Sequence, residues 1–228
     1  LLLLFKLSTL NSFMELRQPL PRSTALTISF IAPVLLIVIW CALTYGHLVS
    51  PDTLPSPTEV LRGILQLFIE QDLASSVWIS GKRIGIAFLL ASAVAVPLGV
   101  LMGAFEPINR FFEPIVAPLR YMPISAFIPL LIWYFGIYES QKIAFLFLGV
   151  FVYLLPVVVF AIRAVPEELV QTALTLGASK FQVIYSVLLP SALPDIFDSF
   201  RVMNAILWTY LILAEAVNPE HGLGYMVE

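Results

Sequence analysis

Arg201, Asn204, Trp208 and Glu215 recur at offsets of three, seven and fourteen residues. On a helix turning about 100° per residue they fall within a stripe about 60° wide. The opposite face carries Val202, Ile206, Leu213 and Val217. A polar and aromatic stripe on an otherwise apolar helix suits a face turned to a bundle interior or a cavity. The chemistry it offers is anion recognition. The planar fork of Arg201 matches nitrate, carboxylate or sulfonate with two parallel N–H groups. A second reading stays open: Arg201 pairs with Asp198, three residues earlier, and both charges reach the membrane interface.

Other chemistries lack their residues. With only 2 histidines and 1 cysteine in the chain, His221 lying far from Cys41 and His47, no metal centre is expected. Cys41 lies in an apolar run and excludes an intrachain disulfide. No GxxxxGK[ST] phosphate loop occurs, so the chain does not bind ATP by that device. No catalytic residue is assigned. A net charge of −3 gives no reason to expect nucleic acid.

The elements that must position the stripe are membrane spans. Hydrophobic residues make up 60% of the chain and charged residues 12%, and the mean hydropathy is +0.95. Those values describe an all-α polytopic membrane protein. A crossing helix needs about 20 apolar residues. Uncharged runs at Ala25–Tyr45, Ile84–Phe105 and Ile143–Ile162 meet that length. Pro114–Tyr138 makes a further span, with Pro114, Pro118, Pro123 and Pro129 arguing against a straight helix. The fifth is irregular: Val202–Ala214 is too short to cross, so it must take in Arg201, Glu215 or both. Pro97, Gly99 and Gly103 in the second span allow close helix contacts. Lys82 and Arg83 at its head are expected to snorkel to the interface. Thr58–Glu70 reads as a surface helix with Val60, Ile64, Leu67 and Phe68 on one face. Residues 1–24 form an N-terminal segment, cytoplasmic or interfacial, ahead of a membrane domain over 25–228.

Between the fourth and fifth spans, Arg163–Pro194 departs from the apolar pattern and spells two short helices joined by a tight turn. Pro166 suits a first helical position, and Glu167 and Glu168 favour the positive end of the helix dipole. Gly177 is placed to end the helix in the left-handed conformation. Ser179 with Gln182 forms a capping box that starts the second helix. Pro190 and Pro194 then punctuate re-entry into the apolar run.

This stretch resembles the cytoplasmic EAA-type loop of ABC importer permeases: EAA, three residues, Gly, nine residues, Ile, one residue, Leu-Pro. Gln171, Thr172 and Ala173 stand at the EAA positions, Gly177 and Ala178 follow, and Val187 precedes Leu189-Pro190. Gln171 removes the charge of the motif glutamate. Leu54–Leu61, reading LPSPTEVL, is similar to the segment after the first span in the nitrate/sulfonate/bicarbonate (taurine-type) branch. Trp133-Tyr134-Phe135-Gly136 is similar to the proline-broken span ending in WFG. The resemblance implies a type I ABC importer permease-like bundle. It also implies two cytoplasmic ATP-binding cassette subunits that hold ATP and Mg, a second permease copy, and an extracytoplasmic solute-binding protein. In this chain it implies no cofactor and no enzyme. It places Glu167, Glu168 and the motif residues through Pro190 against the ATPase. The site is a bacterial inner membrane. Similar permeases continue past Gly222-Leu223-Gly224-Tyr225 into a sixth span, so a sixth is expected beyond Glu228.

Cation placement orients the chain. With the N-terminus inside, Lys6, Arg17, Arg22, Arg110, Arg120, Arg163 and Lys180 face the cytoplasm. Arg62, Lys82, Arg83 and Lys142 face outward, an imbalance that favours N-inside. The competing reading is an ion-coupled secondary transporter. It would need a buried mid-membrane carboxylate and usually an internal repeat, whereas Glu215 lies near an end and the halves do not repeat. A membrane-embedded enzyme is opposed by the shortage of ligands.

Overall fold

The computed structural model describes residues 21–219 and 221–227, and the described elements are all helical. The chain falls into two compact units divided between Gln71 and Asp72, so the stretch 25–228 read as one domain spans that division. Residues 1–20 of the N-terminal segment lie outside the described residues.

The first unit holds α1 (Arg22–Tyr45) and α2 (Pro57–Glu70). α1 exposes apolar side chains all round, as a span facing lipid does. It is tied to the loop that follows by Trp40 Nε1, which donates to the Pro55 carbonyl at 3.0 Å. Ser56 caps α2 in a box with Glu59. The Ser56 backbone N–H, followed by its hydroxyl, holds the Glu59 carboxyl below its ordinary range. α2 buries none of its residues within this unit.

The second unit is built on two long helices, α3 (Leu73–Ala104) and α6 (Glu139–Arg163). Ala87, Ala91, Ala95, Gly99 and Gly103 recur every fourth residue on α3. The alanines are fully buried and the glycines close the row. A Cβ on Gly99 would stand 2.8 Å from Val158 Cβ, and one on Gly103 would stand 2.6 Å from Ile162 Cβ. In a bilayer apolar surface gains nothing by leaving lipid, so such close packing drives the pairing. Phe145, Leu154 and Leu155 on α6 complete the core.

Three expectations shift. α3 begins at Leu73, not near Ile84, because Ser75, Ser76, Ser80, Lys82 and Arg83 lower the hydropathy without interrupting the helix. The span expected over Pro114–Tyr138 is two pieces, α4 (Glu106–Leu119) and α5 (Ile128–Phe135). A 3-10 turn at Ile124–Phe127 leads into α5, and the pair bends by 95°. Pro123 drives the break, since it disfavours helical backbone at Met122.

The third concerns the last span. After α7 (Glu167–Thr175) one helical run, α8, extends over Lys180–Ala216. Pro190 and Pro194 do not interrupt it. A π-helical turn at Ile184–Leu188 lies just ahead of Pro190, and this wider turn absorbs the hydrogen bond that Pro190 cannot give. With the bent pair taken as one crossing, the described helices supply up to 5 spans.

Candidate functional site

The joint between α7 and α8 forms by local chemistry alone. Pro166 is the N-cap residue, one place earlier than a first helical position, and Glu167 and Glu168 open the helix. At the other end Gly177 takes φ +86°. Its N–H donates to the Leu174 carbonyl, and the Ala178 N–H donates to the Ala173 carbonyl, both at 3.0 Å. That crossed pair is the Schellman arrangement, which needs a left-handed residue at its centre. Two residues on, Ser179 accepts from the Gln182 N–H while the Gln182 side chain accepts from the Ser179 N–H at 2.7 Å. Two helices are thereby stopped and restarted within a few residues.

The motif positions sort by burial. Ala173, Ala178, Val187 and Leu189 are half-buried against the core and fix the joint to the bundle. Gln171 is exposed, and its Nε2 donates to Glu167 Oε1 at 2.6 Å, so its amide is engaged with a carboxylate one turn upstream. The Thr172 hydroxyl donates back to the Glu168 carbonyl. Around them Leu169, Leu174, Leu176, Phe181 and Tyr185 are exposed, Leu176 to 82%.

The α8 stripe divides. Arg201, Asn204 and Trp208 are exposed on the isolated chain, whereas Glu215 is completely buried. The core face of α8 runs through Met203, Leu207, Leu211 and Ala214, and Glu215 stands at its border. Arg201 and Asp198 are both exposed, and no ion pair joins them among the described residues.

Glu215 belongs instead to a charge cluster that sequence reasoning missed. Arg83, expected at the interface, is 4% exposed, because α3 starts well before it and turns it into the bundle. Its Nη1 donates to Glu215 Oε1 at 2.6 Å and to the His221 carbonyl at 2.8 Å. Its Nε donates to Glu139 Oε2 at 2.7 Å, and its Nη2 to Glu139 Oε1. Ser80 Oγ donates to Glu215 Oε1 and accepts from the Leu223 N–H, while Glu215 Oε2 accepts from the Gly224 N–H. Lys82, the neighbour of Arg83, is exposed as expected. Lys142 is also buried and donates to the Asn218 carbonyl at 2.8 Å. The glycines of Gly222-Leu223-Gly224 follow from this cluster. A Cβ on Gly222 would lie 2.6 Å from Arg83 Nη1, and one on Gly224 would lie 2.5 Å from Glu215 Cβ. A signal was present in the sequence, namely an arginine and a glutamate in two apolar helices, but nothing local paired them.

Comparison with known proteins agrees with the all-helical, multi-span fold. The family profile described as binding-protein-dependent transport system inner membrane component matches residues 95–228. The taurine transport system permease protein TauC of Escherichia coli (strain K12) is 33% identical over 217 residues, 93% of this chain and 78% of that protein. The putative aliphatic sulfonates transport permease protein SsuC of Bacillus subtilis (strain 168) is 31% identical over 195 residues, 86% of this chain and 71% of that protein. The nitrate import permease protein NrtB of Synechococcus elongatus is 23% identical over 201 residues, 84% and 71% of the two chains. Among solved structures, the inward-facing MetNI methionine ABC transporter shares the fold with a TM-score of 0.62 at 23% identity, covering 68% of this chain and 77% of that one.

Proposed function

Since the chain belongs to the family of binding-protein-dependent transport system inner membrane components, we propose that it is the membrane-spanning subunit of an ATP-driven importer of a small oxyanion. The substrate class is an aliphatic sulfonate such as taurine, nitrate or bicarbonate. Two copies of the chain pair in a bacterial inner membrane with the N-terminus inside. An extracytoplasmic binding protein delivers the solute, and two separate ATPase subunits bind ATP and Mg. This chain carries no cofactor and catalyses no reaction.

The observation that carries the reading is the joint at Gly177. It is a rigid elbow held to the bundle by half-buried alanines, with Leu176, Phe181 and Tyr185 left exposed. Exposed apolar and aromatic anchors on a stiff element are what a partner's groove takes. Closure of the ATPase pair would push the elbow, and α8 would carry the displacement from Lys180 towards Ala216 without a joint between.

Gly177→Val tests the coupling role. No atom lies within 4 Å of a Cβ placed there, so the substitution acts through the positive φ alone. A β-branched residue in that region costs on the order of 1–3 kcal/mol, enough to unseat the elbow. ATPase co-purification and solute uptake should both fall about tenfold or more, while membrane insertion and yield hold. Retention of both activities sinks the proposal.

Arg201, Asn204 and Trp208 line the solute route in this reading. Arg201→Lys keeps the charge and loses the fork, so uptake should slow with assembly and ATPase docking unchanged. Asp198→Asn should transport normally. The reverse pattern, with low protein levels in Asp198→Asn and full uptake in Arg201→Lys, places Arg201 in an interface pair and the route elsewhere.

A further inference from the structure

The two edges of the Arg83 guanidinium meet carboxylates of opposite character. The Glu215 edge is sealed: that carboxylate is fully buried and takes hydrogen bonds from Ser80 and Gly224 as well. The Glu139 edge is open, for the Glu139 side chain is 58% exposed. It borders a cavity of about 320 Å3 lined by Ile79, Lys82, Arg83, Ile86, Glu139 and Ile143. Glu139 is the first residue of α6, so its side chain can rotate into solvent without unwinding a turn.

We propose that the open edge of Arg83 is an oxyanion-binding site, occupied by the Glu139 carboxylate as a built-in stand-in until a ligand exchanges with it. A buried guanidinium stripped of its partner is strongly destabilising, so binding must replace one anion by another. Exchange conserves the buried charge, because Glu139 leaves for water as the ligand enters. Nε and Nη2 already hold two carboxylate oxygens side by side, the spacing a sulfonate, nitrate, bicarbonate or phosphate group also presents. Lys82, exposed on the same cavity, adds a second positive charge. Ile79, Ile86 and Ile143 suit a short alkyl group beside the head. Two sources share this chemistry: a free oxyanion of the substrate class, and the phosphate headgroup of an anionic lipid. Only the first rests on the transport reading.

Glu139→Gln vacates the stand-in, since an amide carries no charge to hold the fork. The purified variant in phosphatidylcholine nanodiscs should melt below the unaltered protein. Methanesulfonate or nitrate should restore it, shifting the folded-to-unfolded ratio about tenfold at ten times its Kd, and chloride at equal ionic strength should not. Restoration by phosphatidylglycerol in the disc, with no added anion, identifies the lipid headgroup as occupant. If neither oxyanion nor phosphatidylglycerol outperforms chloride, Glu139 is a structural partner only and the site is withdrawn. A second measurement leaves Glu139 in place. In a Cys41→Ser, Ile79→Cys chain, methanesulfonate or phosphatidylglycerol at ten times its Kd should slow maleimide labelling about tenfold, as about one site in ten stays open at that occupancy. Labelling indifferent to both overturns the proposal. Sulfonate uptake by the assembled complex without such protection rejects this site and leaves the transport reading standing. Protection without uptake rejects the transport reading alone.

Discussion

Arg83→Met should cost the folded protein about 3–5 kcal/mol, the usual effect of removing one member of a buried ion pair. Methionine nearly fills the space, so lost packing is the lesser part. The greater part is Glu215, which has no exposure to water and would be left with only Ser80 and the Gly224 N–H as partners. Glu139 escapes the penalty because water reaches it. The double variant Arg83→Met, Glu215→Met should therefore recover most of the loss, since two apolar side chains ask for no partner. Denaturant unfolding of the unaltered protein, both single variants and the double variant in detergent micelles closes the cycle. A double variant as unstable as Arg83→Met would show that the cluster stabilises by packing and not by charge.

Gly103→Val should be comparably damaging by a different route. Its Cβ would meet Ile162 Cβ at 2.6 Å and the Val159 carbonyl oxygen at 3.1 Å. Turning Ile162 about χ1 leaves its Cβ in place, and the carbonyl is equally fixed in α6, so the two backbones must separate. Overpacking of this kind costs about 1–3 kcal/mol and occasionally more, and an interface held by close packing has no hydrophobic term in reserve. Ile162→Gly in the same chain removes that Cβ and should restore part of the stability. Gly85 supplies the control. Nothing lies within 4 Å of a Cβ there, so Gly85→Val should stay within about 0.5 kcal/mol of the original. Thermal melting with monodispersity by size-exclusion chromatography distinguishes the cases, and equal effects at Gly103 and Gly85 would refute the packing account.

What the sequence disclosed and what it withheld divide by range. The elbow was legible because its parts are neighbours: Gly177 closes hydrogen bonds to Leu174 and Ala173, and Ser179 caps against Gln182. The membrane class was legible from composition, and Gly99 and Gly103 announced a tight contact without naming Val158 and Ile162 as the partners. Prolines foretold the break after Leu119, yet the angle depends on how the two pieces pack. Pro190 misled, because a π turn absorbs it where sequence rules end a helix. The fate of Arg83 was out of reach. Beside Lys82 it reads as an interfacial cation, and only partners contributed by α6 and α8 reveal that it is buried. Glu215 was noticed for the wrong company: helical periodicity grouped it with Trp208, while the backbone of Leu223 and Gly224 folded over it.

The order in which the ribosome delivers these charges follows from the same cluster. Arg83 and Glu139 are 56 residues apart in the chain, and Arg83 and Glu215 are 132 apart. At about 5–20 residues per second, Glu139 emerges roughly 3–11 s after Arg83, and Glu215 only after roughly 7–26 s. During that interval α3 enters the bilayer with an arginine that costs about 2.5–3.5 kcal/mol at mid-helix on insertion scales. Glu139, the first residue of α6, is the earlier of its two carboxylate partners to be made and can serve as an interim counter-ion. The half-open pair with Glu139 is thus available to Arg83 before the sealed pair with Glu215 can form.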